Sequence, residues 1–227
     1  SATTGANSVA IGYAALDAVT TNSNNVAIGH NALTTSTAEG NTAVGYESAK
    51  SNTTGYRNVS MGKDSFADNT TGNQNVAIGN NALEKNTTAG DNTAVGFQAL
   101  TAATTGSQNV AVGANALDAN TTAANNTAVG YNAMTNNTTG TANVAVGTAS
   151  LVNPTGSSNN VAVGYAALNA VSTGSSLTAV GKDALIANTT GDNNIGIGRD
   201  AGQSITTGSN NIAIGVEALE NVSSTNM

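Results

Sequence analysis

A glycine returns at a fixed interval along the whole chain, and this regularity constrains the fold more than any other feature. The positions of successive phased glycines differ by 17 in eleven of twelve cases, and by 16 between Gly29 and Gly45. A fixed short period is typical of solenoids, in which each repeat stacks on its neighbours. The sequence therefore predicts one repeat domain over residues 1–227, built from 13 copies of a single unit. The phased glycines are Gly12, Gly29, Gly45, Gly62, Gly79, Gly96, Gly113, Gly130, Gly147, Gly164, Gly181, Gly198 and Gly215.

The composition argues against an ordinary globular core. Only 8% of the residues are charged and 3% are aromatic, whereas charged residues make up about 25% of a typical domain. The apolar fraction consists largely of Ala, so few large side chains are present to fill a wide interior. Because disordered polar tracts do not keep apolar residues in phase, the pattern favours a thin, regular core stabilised mainly by backbone hydrogen bonds.

One unit, from Gly79 to Gly96, shows how a coil is built. Val76-Ala77-Ile78 before the first glycine reads as a strand, and a second apolar pair, Ala82-Leu83, follows it. The next stretch is rich in Asn, Thr and Gly, which suit turns with positive φ. A unit this short cannot hold a full helix, a strand and two turns, so we expect an all-β solenoid with no substantial helix. Coils spaced by about 4.8 Å would give a rod about 60 Å long.

Two apolar columns run through the units. The residue before each phased glycine is apolar in all 13 units, as at Ile78, and is predicted to be buried. Ile78→Asp is then expected to unfold the stack. The residue four positions after the glycine, as at Leu83, forms the second predicted core column. An Asn opens most strands, as at Asn75. Two explanations are open: the Asn side chains stack as a ladder of hydrogen-bonded amides, or the position is a turn that requires an unusual φ.

The central residue of each strand is always very small. Side chains alternate along a strand, so a buried Ile78 column would turn the Ala77 column outward. A small residue kept on an outer face in every unit indicates close packing against another chain. The alternative is that Ala lines a very narrow interior while Val and Ile face out, which leaves an apolar stripe to be covered. The predicted oligomer interface comprises Ala10, Ala27, Ala43, Ala77, Ala94, Ala111, Ala128, Ala145, Ala162, Ala179 and Ala213.

The position directly after the phased glycine collects most of the large polar and aromatic side chains. Four of the five tyrosines fall in this column. A row of rings on one edge could contact a surface glycan or a host receptor, whereas the simpler explanation is that large side chains cover the corner of each coil. The candidate contact residues are Tyr13, His30, Tyr46, Phe97, Tyr131 and Tyr165.

The sequence contains no recognisable set of catalytic residues or metal ligands. The chain has no Cys, and His30 is its only His. The carboxylates are scattered, so the sequence predicts no enzyme activity, no metal site and no cofactor. A formal net charge of −7 argues against a nucleic-acid partner. No apolar run approaches the length of about 18 residues that a membrane span requires.

Two motifs carry a family resemblance. The stretches from Asn7 to Gly12 and from Asn75 to Gly79 resemble the head repeats of trimeric autotransporter adhesins, and Thr206 to Gly215 is similar to shaft repeats of phage tail fibres. The resemblance implies a left-handed β-roll assembled as a homotrimer. It also implies a structural and adhesive role on a virion appendage or on the bacterial cell surface.

Two alternatives remain open on sequence alone. Unpaired backbone groups at terminal coils, around Val9 and Ile212, would allow rods to stack end to end into a fibre. Recurrent Thr pairs suggest an ice-binding solenoid instead of an adhesive rod. The pairs are Thr53-Thr54, Thr70-Thr71, Thr87-Thr88, Thr104-Thr105, Thr121-Thr122, Thr138-Thr139, Thr189-Thr190 and Thr206-Thr207.

Overall fold

The computed structural model describes residues 7–18 and 22–222, and within these ranges it contains 13 three-residue strands and no helix. All of the described pairings between strands are parallel, so the predicted all-β solenoid with a period of about 17 residues is confirmed. The left-handed coil and the oligomeric state stay predictions. The strands are β1 Val9–Ile11, β2 Val26–Ile28, β3 Thr42–Val44, β4 Val59–Met61, β5 Val76–Ile78, β6 Thr93–Val95, β7 Val110–Val112, β8 Thr127–Val129, β9 Val144–Val146, β10 Val161–Val163, β11 Thr178–Val180, β12 Ile195–Ile197 and β13 Ile212–Ile214.

The chain divides into two compact units, Ser1–Val112 and Gly113–Met227. In the first unit, β1 to β7 pair in sequence order, and Ala77 lies opposite Ala94. In the second unit, β8 to β13 pair in the same way, and Ala162 lies opposite Ala179. Each unit is therefore a parallel β-solenoid, and the single domain over 1–227 stays a prediction.

Backbone hydrogen bonds between successive coils run along every side of the stack. In the strand, the Val76 N–H donates to the Asn92 carbonyl at 2.8 Å. Beyond the strand, the Leu83 N–H donates to the Ala99 carbonyl at 2.9 Å, and the Thr87 N–H donates to the Thr104 carbonyl at 3.1 Å. Because these bonds repeat in coil after coil, the solenoid stays ordered with few large apolar side chains.

The strands face the opposite way from the leading prediction, which placed the Ile78 column inside and the Ala77 column outside. The Ala column lies inside the chain's own core, whereas the residue before each phased glycine points outward, with Ile78 half-buried and Ile214 66% exposed. The prediction that the Ala column forms an oligomer interface is therefore wrong, because these methyl groups are enclosed by their own chain. The alternative, a narrow Ala-lined interior with Val and Ile outside, is confirmed. Ala10 in β1 is exposed, and the buried members are Ala27, Ala43, Ala77, Ala94, Ala111, Ala128, Ala145, Ala162, Ala179 and Ala213.

The width of the interior explains why the central strand residue is small. The predicted Leu column is confirmed as core, and Leu83 is fully buried. Gly196 occupies the Ala position of β12, and a Cβ added there would lie 2.7 Å from Leu185 Cγ. The Leu side chains thus fill the space opposite the strand, and only very small residues fit between: Ala or Ser in most coils, and glycine in β12.

Left-handed backbone conformations turn the chain at the corner after each strand. Asn81 has φ 56° and Leu83 has φ 51°, so the alternation of a strand is broken and the adjacent Ala82 and Leu83 are both buried. Gly79 has φ 139°, and a Cβ on it would lie 2.2 Å from the Gly96 carbonyl oxygen. The phased position therefore accepts only glycine.

The Asn that opens the strands forms a ladder along the stack. Asn75 Oδ1 accepts from the Asn92 N–H at 3.0 Å, and Asn75 Nδ2 donates to the Ala89 carbonyl at 2.9 Å. The positive φ falls on the preceding Gln74, at 59°, and not on Asn75. The ladder explanation is thus confirmed, and the unusual-φ explanation is wrong. A second buried Asn column, seven residues after the phased glycine, was not anticipated and comprises Asn52, Asn69, Asn86, Asn120, Asn137 and Asn188.

Candidate surface-contact site

The position after the phased glycine lies on the outside of the coil, where the chain turns away from the strand. All six predicted contact residues are exposed, from 47% for Tyr46 to 76% for Tyr13 among the tyrosines. Because the column repeats with the coil, equivalent side chains on successive coils lie next to one another. The column is therefore an edge of rings and charges on each unit.

Three of the rings form a continuous stack in the first unit. The Tyr13 and His30 ring centroids are 5.1 Å apart with an interplanar angle of 19°, and those of His30 and Tyr46 are 5.3 Å apart with an angle of 11°. Lys63 Nζ continues the column 6.0 Å from the centroid of Tyr46. We call Tyr13, His30, Tyr46 and Lys63 the ring ladder.

Carboxylates beside the ring ladder balance its charge. A side-chain hydrogen bond with Glu47 raises the pKa of Tyr46, and a hydrogen bond from Lys50 is the largest cause that lowers the pKa of Glu47. Lys50 Nζ lies 2.6 Å from Glu47 Oε2, and Lys63 Nζ lies 2.7 Å from Asp64 Oδ2. The ring ladder and the carboxylates beside it thus offer aromatic rings, two phenols and carboxylates, groups that can contact the C–H faces and hydroxyls of a sugar.

The other three predicted contact residues, Phe97, Tyr131 and Tyr165, are not part of this stack. Phe97 makes no ring contact with the described part of the chain. In the second unit, Lys182 Nζ lies 6.0 Å from the centroid of Tyr165, and Lys182 also pairs with Asp183. Tyr131 is exposed, as are Phe97 and Tyr165. The structure therefore brings together Tyr13, His30 and Tyr46 among the six.

The structure also shows a candidate surface that the sequence analysis did not predict. Tyr56 is the one Tyr of five outside the phased column, and with Arg57 it borders a depression at the coil that contains Thr37 and Glu39. The signals that could have found it are the single short gap between phased glycines and the misplaced Tyr. Neither signal places these side chains together without knowledge of the register between coils.

Within 7–18 and 22–222, no group of three or more His, Asp or Glu side chains is placed to hold a metal ion. No helix in the same ranges is long and apolar enough to cross a membrane. Compared with known proteins, the chain matches no family model, no curated protein and no solved structure.

Proposed function

We propose that the chain is a non-enzymatic structural and adhesive rod of a virion appendage or a bacterial cell surface. The observation that carries this proposal is the outer face of the strands. Each strand directs two side chains outward, as Val76 and Ile78 do, and in most coils both are β-branched and apolar. We call this two-column surface the outer stripe.

The outer stripe supports self-association into a homotrimer. Contiguous apolar surface on a soluble protein marks an interaction site. A second copy of the chain carries the same stripe with the same period, so Val and Ile side chains can interdigitate over the length of a unit. The number three comes from the resemblance to adhesin heads and tail-fibre shafts. The stripe replaces the Ala column as the surface that another chain would cover.

The ring ladder supports the adhesive part of the proposal. Its rings are exposed and lie on a corner of the coil, whereas the outer stripe lies on the strand. Assembly through the stripe would therefore leave Tyr13, His30 and Tyr46 accessible to a surface glycan or a host receptor.

Charge on the outer stripe tests assembly. We expect the unmodified chain to have three times its 22.1 kDa mass by size-exclusion chromatography with light scattering. Ile78→Lys combined with Val95→Lys should return the mass to that of one chain, because two buried charges per chain oppose association. The control, Thr71→Lys with Thr88→Lys, alters exposed turn residues and should leave the trimer intact.

The outcomes separate the modes of assembly. The mass of a single chain, 22.1 kDa, at every concentration would contradict the trimer. Mass that grows with concentration without limit would indicate the end-to-end fibre instead. Adhesion is tested on an array of neutral glycans, where replacement of Tyr13, Tyr46, Tyr131 and Tyr165 by Ala should abolish binding. Binding that survives these changes would place the contact elsewhere.

Ice binding is the second candidate, and an exposed Thr column favours it. In Thr87-Thr88 the first hydroxyl donates to the Thr104 carbonyl at 3.1 Å, whereas the second residue is exposed. The second members of the pairs thus form an outer Thr row on each unit. Thermal hysteresis in the unmodified chain that is lost in the Thr71→Lys, Thr88→Lys variant would support this function over adhesion. The outer members are Thr54, Thr71, Thr88, Thr105, Thr122, Thr139, Thr190 and Thr207.

A further inference from the structure

The one short coil lacks a member of the outer Thr row, which begins at Thr54 in the next coil. Asn25 Nδ2 donates to the Ala38 carbonyl at 2.9 Å, just as Asn41 Nδ2 donates to the Gly55 carbonyl at 2.9 Å in the next coil. These bonds make Ala38 the counterpart of Gly55. The residue missing from the short coil is therefore the counterpart of Thr54. Its absence removes one outward side chain beside Thr54 and leaves a notch in the surface.

The notch is a depression of about 510 Å³ with a polar and aromatic lining. Its lining includes Tyr56, Arg57, Thr37, Glu39 and Thr54. Gly40 lies beside Arg57, and its φ of 70° favours glycine, whereas a Cβ there would make only an ordinary contact with Arg57 Cγ at 3.6 Å. The side chains that make this site unlike other coils thus coincide with the deletion.

Arg57 differs from the other cations in its surroundings. Six side chains are Lys or Arg, and five of them have a carboxylate within 4.0 Å. In the described part of the chain Arg57 has no such partner, and its Cζ lies 5.6 Å from the centroid of the Tyr56 ring. An exposed guanidinium over an aromatic ring keeps its outer N–H groups free to form a bidentate contact with a carboxylate.

We propose that the notch binds a pyranose that carries a carboxylate, the chemical class of the uronic acids. Arg57 binds the carboxylate, and the Tyr56 ring contacts the C–H groups of the sugar. The hydroxyls of the sugar then meet the carboxylate of Glu39 and the hydroxyl of Thr54, which can accept hydrogen bonds from them. The site goes beyond the proposed rod, since it lies within one unit and does not depend on assembly or on the ring ladder.

A matched pair of glycosides tests the site by NMR titration of the full chain. Methyl β-glucuronide and methyl β-glucoside differ only in a carboxylate and a hydroxymethyl group. We expect the glucuronide to bind saturably with a Kd on the order of 1 mM. The glucoside should bind at least about tenfold more weakly, because it lacks the carboxylate that forms charge-assisted hydrogen bonds with Arg57. Equal affinities, or no saturation by the glucuronide, would overturn the proposal.

Variants locate the binding. Arg57→Gln should weaken glucuronide binding about tenfold, whereas Arg199→Gln, a change to the other Arg of the chain, should have no effect. Tyr56→Ala should also weaken binding while the circular dichroism spectrum stays unchanged. Binding that is the same in Arg57→Gln and the unmodified chain would overturn the assignment to the notch.

Closing the notch is a separate test. Insertion of one Thr after Thr37 restores the regular period of the other coils. The insertion should abolish glucuronide binding without lowering the melting temperature, and retained binding would contradict the notch as the site.

Acetate is the last probe, because an affinity equal to that of the glucuronide would show a carboxylate site with no sugar recognition and so overturn the proposal. None of these measurements depends on oligomer mass, so failure here and failure of the proposed rod are distinguishable.

Discussion

At the scale of single residues, a buried polar side chain in this fold depends on the coils directly before and after it. Asn69 Nδ2 donates to Asn52 Oδ1 at 2.7 Å, and Asn69 Oδ1 accepts from Asn86 Nδ2 at 2.8 Å. The column then reaches Ala103, and Asn86 Oδ1 is left without a partner among the described residues. An amide in this column therefore loses part of its hydrogen bonding where a neighbouring coil has no amide, although its Nδ2 can still donate within its own coil, as Asn86 Nδ2 does to the Ala89 carbonyl at 3.2 Å.

Asn188 is fully buried without that support. Neither its Oδ1 nor its Nδ2 has a hydrogen-bond partner in the described structure. The residues at the equivalent position in the adjacent coils are Val171 and Ile205, whose side chains cannot donate or accept a hydrogen bond. Burial of an unpaired amide is costly, so this position favours an apolar side chain.

Asn188→Val is expected to stabilise the protein. Removing two unsatisfied polar atoms should raise the free energy of unfolding by about 1–3 kcal/mol. Asn69→Val is the matched control, because it breaks a paired ladder and should lower the free energy of unfolding by about 1–3 kcal/mol. Urea denaturation measures both. If both substitutions destabilise the protein equally, the environment of Asn188 has been misjudged.

Asp118 gives a residue-scale prediction that depends on pH. Burial raises its pKa, and its Oδ1 is buried without a partner in the described structure. Because the pKa in the folded state lies above the unfolded value, the folded state is favoured when Asp118 is protonated, and stability falls as the pH rises through the folded pKa. Asp118→Asn should therefore raise the urea midpoint at neutral pH. That gain should vanish below about pH 3.9, and a gain of the same size at both pH values would exclude ionisation as the cause.

At the scale of the strand and its corner, the sequence predicts the period, the Leu column and the turns, but not which face is inside. Val76-Ala77-Ile78 alternates symmetrically, and either orientation buries an apolar column. The orientation is decided by packing across the interior, where buried side chains such as Leu83 leave room only for a very small residue in the strand. Leu rarely adopts positive φ, so its value of 51° could not be read from the residue type.

The candidate sites were also only partly predictable from the sequence. The exposure of Tyr13, His30 and Tyr46 follows from the period, and their stacking follows because the column repeats on successive coils. The sequence places the missing residue in the turn around Thr37, Ala38 and Glu39. The notch itself does not follow from the period, because it also requires knowing that Ala38 is the counterpart of Gly55. That register is set by hydrogen bonds from Asn side chains to backbone carbonyls, which a pattern of residue types does not specify.

Adjacent substitutions in β5 test the orientation. Ala77→Asp places an unpaired charge in the core and should lower the free energy of unfolding by about 4 kcal/mol or more. Ile78→Asp, which the sequence pattern alone predicts to be the damaging change, lies on the outer stripe and should cost only about 1 kcal/mol. Thermal and urea unfolding at low protein concentration separate the two. The reverse order of costs would mean that the strands face the other way.

At the scale of the whole molecule, stability is a property of repetition within each unit. A coil such as the one containing β5 pairs with the coils before and after it, through β4 and β6. The phased glycine, the Leu and the strand-opening Asn find equivalent partners in most coils. Stability in such a stack is roughly the sum of contributions from the coils and their interfaces, so a whole period is the unit that can be removed.

Deletion of residues 80–96 from the first unit tests this additivity. The cut removes one whole period and joins Gly79 directly to Phe97, so every later column keeps its phase. We expect an unchanged β-type circular dichroism spectrum and a modest loss in the free energy of unfolding, since one coil and one interface are lost. Deletion of 80–91 is the control, because it removes Leu83 and Asn86 but leaves two phased glycines too close together in sequence to enclose a coil. That variant should lose cooperative unfolding in urea, and equal behaviour of the two deletions would show that coil-by-coil register does not maintain the fold.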